Sequence, residues 1–97
     1  MQAQLRIYDI KDGLMDEFIN EFQTKIVPPR QQYGFDIVGS WIVPDRNQFV
    51  WVVTYDGDLE WQAAVDRYYH SPERSSADFD PDQYIEAMDV RMLQPAS

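Results

Sequence analysis

Leu5-Arg6-Ile7-Tyr8 near the start of the chain and Val90-Arg91-Met92-Leu93 near its end alternate apolar with polar or amphipathic residues. That period of two is the mark of a strand with two different faces. The first run predicts a strand over Gln4 to Ile10, closed by Asp12-Gly13. From Leu14 the period lengthens: Met15, Phe18, Ile19, Phe22 and Ile26 fall on one side of a helix. Pro28-Pro29 lack backbone donors and disfavour helical geometry at Val27, so the helix is expected to end or kink there, with irregular chain to Tyr33. Phe35 to Val43 predicts a second strand in which Ile37, Gly39, Trp41 and Val43 share a face. Pro44-Asp45-Arg46-Asn47 is a turn, and Gln48 to Tyr55 completes an antiparallel hairpin.

Asp58 is placed to cap a second helix from Leu59, with Trp61, Ala64, Val65 and Tyr68 as its buried stripe. Ser71-Pro72-Glu73-Arg74 starts a further short helix, with Ser71 as cap and Pro72 in the first position. Asp80-Pro81-Asp82-Gln83 repeats that capping pattern before a last strand from Tyr84 to Leu93. The order is β-α-β-β-α-β, an α+β, ferredoxin-like four-stranded antiparallel sheet with both helices on one face. Alternation assigns Leu5, Ile7, Val50, Val52, Met88, Val90 and Met92 to the helix-covered face. The opposite face then collects Arg6, Tyr8, Trp41, Phe49, Trp51, Val53, Tyr55, Asp89 and Arg91. So many exposed aromatics would form a patch that monomers rarely show. Pairing that face with a second copy closes a dimeric α/β barrel.

Composition strengthens the expectation of a partner. The 97 residues make one domain, spanning 1–97, and a monomer of that size buries only about 60 to 65% of its unfolded surface. Yet 44% of the residues are hydrophobic, including three Trp, six Tyr and five Phe. Seventeen acidic residues against eight basic ones give a charge of −9, which repels phosphate backbones and anionic lipid, so no nucleic-acid or membrane role is expected. The amino terminus has neither the basic region and apolar core of a signal peptide nor an 18-residue apolar run, and the cytoplasm is the expected location. With no cysteine and a single histidine, no disulfide, thiolate chemistry, His-rich metal site or cofactor is expected.

Leu5-Arg6-Ile7-Tyr8, Gly13, Met15-Asp16-Glu17-Phe18, Tyr33-Gly34-Phe35, Val38-Gly39-Ser40-Trp41, Phe49-Val50-Trp51, Tyr55-Asp56 and Ser71-Pro72-Glu73-Arg74 together resemble the NIPSNAP family. The resemblance runs from Leu5 to Leu93 and rests on the order of these motifs. It implies a dimeric α/β barrel. Relatives with that barrel include cofactor-free monooxygenases, chlorite dismutase-like haem proteins and ligand-binding or stress-response proteins.

Three groups of residues are candidates for chemistry. His70, beside Tyr69, Glu73 and Arg74, is the acid-base candidate, although a place at the carboxyl end of the second helix would serve only the helix dipole. Arg6 and Arg91 on neighbouring strands would bind a carboxylate or enolate, or simply pair with Asp89. Tyr8, Trp41, Trp51 and Tyr55 form an aromatic wall suited to a flat ligand, or else pack the dimer interface. Pro28, Pro29 and Arg30 read more simply as a surface loop than as the mouth of a chamber. Three functions follow. The first is a homodimeric protein binding a small apolar or aromatic molecule. The second is a cofactor-independent monooxygenase, or an isomerase or cyclase, with His70 or a chamber tyrosine moving the proton. The third is a structural dimer that assembles with another protein.

Overall fold

In a computed structural model the described residues are 2–96; Met1 and Ser97, the two ends of the expected domain, lie outside them. The period-two runs form β1 (Ala3–Ile10), β2 (Phe35–Val43), β3 (Gln48–Tyr55) and β4 (Ile85–Leu93). They build one antiparallel sheet in the order β2-β3-β1-β4. The hairpin between β2 and β3 turns through Pro44–Arg46, with Asn47 in the left-handed region at φ 51°. Asparagine tolerates that conformation because its short side chain bonds locally, and here Asn47 Nδ2 donates to the Ile10 carbonyl at 2.7 Å.

The first helix does not end at the prolines. α1 (Met15–Glu21) widens into a π-helical turn over Phe22–Ile26 and runs on as α2 (Val27–Gln32), with Pro28 and Pro29 in its first turn. Proline is tolerated in a first turn because the missing N–H is one that a helix start leaves unpaired, and the wide turn makes α2 such a start. Gly34, at φ +89°, then reverses the chain into β2.

The second helix is α3 (Trp61–Tyr69), two residues later than expected. Its N-cap is Glu60, with no side-chain capping bond, so Asp58 does not cap it; the nearby Leu59 N–H donates instead to Tyr55 Oη at 3.3 Å. Ser71 and Asp80 do cap as expected. Ser71 Oγ accepts from the Arg74 N–H at 3.1 Å and starts α4 (Pro72–Ser75), and Asp80 Oδ1 accepts from the Asp82 N–H at 3.1 Å.

The assignment of sheet faces is corrected by the packing. Tyr8, Phe49, Trp51 and Val53 are buried beneath the helices, in one core with Phe18, Phe22, Ile26, Phe35, Ala64 and Tyr68. Phe22 meets Phe49 at 4.8 Å and Trp51 at 4.9 Å between ring centres, and Phe35 meets Tyr68 of α3 at 6.1 Å. Arg6 pairs with Trp51 and Val90, and Tyr8 with Phe49 and Met88, so Met88, Val90 and Met92 share the helix-covered side. They lie on the outer strand β4 and remain exposed there. Leu5, Ile7, Val50 and Val52 instead line the uncovered side, with Asp89 and Arg91. Alternation shows which residues of a strand share a face, but β3 is apolar at both parities, so its pattern does not say which parity the helices cover.

The strand-two expectation also changes. Ile37 pairs with Val53 and Gly39 with Val52, so a bulge at Val38 inverts the parity. Ile37 therefore sits on the helix side, while Gly39, Trp41 and Val43 sit on the uncovered side.

Candidate functional site

Aromatic side chains stack the core deeply beneath α1 and the π turn, but they leave a cavity of about 70 Å³ between the helices and the β1–β4 side of the sheet. Phe18, Phe22 and Ile26 come down from the first helix, Tyr8 and Trp51 rise from the sheet, and Tyr68 and Tyr69 enter from α3. Tyr69 and Met88, 42% and 48% exposed, carry the lining out to the surface.

Three arginines face this aromatic space. Arg6, Arg30 and Arg74 line it, and among the described residues no carboxylate does. On a chain with seventeen acidic residues that separation of charge is a property of the site. Arg6 is held by neighbours on the same face of the sheet: its Nε donates to Tyr8 Oη at 2.8 Å, its Nη1 to Gln4 Oε1 at 2.8 Å and its Nη2 to Met88 Sδ at 3.6 Å. Burial works against its charge, but the hydroxyls of Tyr8 and Tyr69 more than offset that, and its pKa lies above the ordinary arginine value.

Arg30 is the more unusual of the three, being 2% exposed. Its guanidinium lies 4.5 Å from the ring centre of Tyr68, 5.2 Å from Phe35, 5.3 Å from Trp51 and 5.4 Å from Tyr69. Such faces attract a cation through the ring quadrupole. Its Nη2 donates to Tyr69 Oη at 3.0 Å. Among the described residues, neither Nε nor Nη1 has a hydrogen-bond partner, and neither do Trp51 Nε1 and Tyr68 Oη nearby. Burial pushes the Tyr68 hydroxyl above its usual pKa, with Arg30 and Arg74 pulling the other way, so it stays a neutral donor at physiological pH. The cavity thus concentrates hydrogen-bond donors and positive charge behind an apolar wall.

The structure divides the expected site residues. Arg6, Tyr8 and Trp51 come together here, but on the helix side of the sheet. Trp41 is 54% exposed on the uncovered side, and Arg91 lies on that side too, with its Nε 3.0 Å from Asp89 Oδ1. Tyr55 sits on the helix side at the far end of β3, against Gly34, outside the cavity lining. His70 is exposed at the end of α3, its Nδ1 2.8 Å from the Asp66 carbonyl, and it too is outside the lining. The expectation for Arg30 is overturned: it is core rather than surface loop. The signal was present, because Phe18, Phe22, Ile26 and Arg30 recur every four residues, which continues the buried stripe straight through the prolines. Among the described residues there is no group of three or more His, Cys, Asp or Glu able to hold a metal ion, and no helix long and apolar enough to cross a membrane.

A family model described as NIPSNAP matches residues 3–97. The fold is also found in solved structures. An uncharacterized NIPSNAP domain protein from Burkholderia xenovorans superposes with a TM-score of 0.86 at 24% identity, covering 100% of this chain and 96% of that one. A NIPSNAP family protein from Agrobacterium tumefaciens gives 0.83 at 15% identity, covering 98% and 92%. A putative monooxygenase from Lactobacillus acidophilus gives 0.74 at 17% identity, with 96% of this chain lying on 43% of that one. No curated protein matches the chain.

Proposed function

This chain belongs to the NIPSNAP family, and we propose that it is a homodimeric small-molecule-binding protein whose ligand chamber lies inside each subunit, between helices and sheet. The observation that carries this reading is the aromatic cavity itself. A core that packs Phe18, Phe22 and Trp51 to near-complete burial nonetheless stops short of filling the space beside Arg30 and Tyr68. Interiors are normally packed to crystal density, and buried donors normally find acceptors. A pocket that breaks both rules at one place is the default binding site.

The chamber is small. A cavity of about 150 Å³ holds benzene; at about 70 Å³ this one takes only one end of an aromatic ligand, the rest emerging past Tyr69 and Met88. The dimer would form through the uncovered side, where Leu5, Ile7, Val50 and Val52 present an apolar surface beside Trp41. Pairing two such faces removes it from water by an isologous contact. A proton-transfer enzyme relying on His70 is less well supported, because that imidazole is at the outer end of α3.

Native mass spectrometry of freshly purified protein, followed by denaturing release, tests the proposal. A dimer carrying a discrete non-covalent adduct is the expected result. A monomer of bare mass, with no adduct gained from a metabolite extract, would overturn it.

A further inference from the structure

We propose that the chamber selects organic anions, a carboxylate entering headfirst to meet Arg30; this rests on the chamber reading above and names its ligand class. Arg30 is 2% exposed, and among the described residues the cavity lining contains no carboxylate to balance its charge. Aromatic faces partly compensate the lost hydration, but they supply no hydrogen-bond acceptor for Nε and Nη1. A buried cation left without its partner is a costly arrangement, and each unsatisfied buried group calls for an explanation. A carboxylate supplies both missing pieces: a negative charge and acceptor oxygens. With Nη2 committed to Tyr69, one ligand oxygen takes Nε–H or Nη1–H of Arg30, which the side chains packed over them must shift to uncover. Arg6, which also lines the cavity, adds its charge. Charge-assisted bonds of this kind are about twice as strong as neutral ones.

The discriminating pair is an acid and its neutral amide of the same shape. Isothermal titration calorimetry and thermal shift with acetate, butyrate and benzoate should show saturable binding, while acetamide, butyramide and benzamide should bind at least tenfold more weakly. Sodium chloride and inorganic phosphate at matched ionic strength should not reproduce the shift. Arg30→Met should lose at least tenfold in carboxylate affinity. Its unliganded melting temperature should equal or exceed that of the wild type, because removing an uncompensated buried charge relieves the protein. If Arg30→Met fails to fold, the acid–amide comparison in the wild type still decides.

If amides bind as tightly as acids, the anion inference fails while the chamber stands. Equal binding of inorganic anions replaces the inference with a general anion site. Should neither acids nor amides bind, the inference falls, and the adduct measured by native mass spectrometry then decides separately whether the chamber falls with it.

Discussion

Arg30 and Phe18 show how individual residues divide the work of the core. Phe18 is 1% exposed and meets the rings of Tyr8, Phe22, Phe49, Phe79 and Tyr84, the tightest with Phe49 at 5.0 Å. It therefore ties α1 to the sheet and to the segment before β4 at once. Phe18→Ala is expected to cost about 3 to 5 kcal/mol, because so many rigid neighbours cannot collapse into the space. Urea unfolding at fixed protein concentration measures that loss. Phe18 also lines the cavity, so any folded Phe18→Ala protein should accept bulkier apolar probes than the wild type. Phe18 was legible from its spacing alone. Arg30 continues the same spacing, but a charged residue after two prolines reads as surface, and only the surrounding rings make its burial tolerable.

Elements join through polar contacts that the pattern of apolar residues does not encode. Ser71 lies 4% exposed between α3 and α4, its Oγ donating to the Tyr68 carbonyl at 2.6 Å while accepting from the Arg74 N–H. Ser71→Ala should cost about 1 to 2 kcal/mol by chemical denaturation, with Ser71→Thr recovering most of it. Between α2 and α4, Tyr33 Oη donates to Glu73 Oε1 at 2.6 Å and Gln32 Nε2 to Glu73 Oε2 at 3.1 Å. The Tyr33 hydroxyl holds the Glu73 carboxyl below its usual pKa, and the same bond holds the Tyr33 pKa above its usual value. The depressed carboxylate contributes stability that is complete above about pH 4.3 and is lost as pH falls through the lower folded pKa. The raised phenol contributes stability that is complete below about pH 10 and is lost as pH rises through the higher folded pKa. Thermal melts should therefore show Tyr33→Phe losing less stability than the wild type on acidification from pH 6 to about 3. An unchanged acid slope would show that this contact does not couple to folding. The caps at Ser71 and Asp80 were readable because serine, aspartate and proline at a helix start have one simple use. The π turn and the late start of α3 were not, since each depends on how tertiary packing seats the apolar stripe.

The whole molecule carries most of its large exposed apolar side chains on the outer strands, with Val38, Trp41 and Ile42 on β2 and Met88, Val90, Met92 and Leu93 on β4. Element order was legible because the hairpin and the periods agreed; which face the helices cover was not. The expectation of a partner survives that exchange of faces, since the side left open still bears Leu5, Ile7, Val50 and Val52 in its centre. Trp41 is the residue to test. A Cβ on Gly39 would stand 2.7 Å from the Trp41 ring, so glycine is what lets the indole lie flat over the open sheet. At 54% exposure the ring contributes little to the fold of its own chain, and in the proposed homodimer it would offer a broad apolar contact to the second copy. Trp41→Glu should therefore leave the far-ultraviolet circular dichroism unchanged. A hot-spot aromatic costs about 2 kcal/mol or more when truncated, so if Trp41 anchors the proposed dimer, its dissociation constant should rise by about 30-fold or more. Light scattering across a dilution series reads it. If the Trp41→Glu protein dimerises as tightly as the wild type, the subunits do not meet through this end of the open face, and the exposed row on β4 becomes the surface to mutate next.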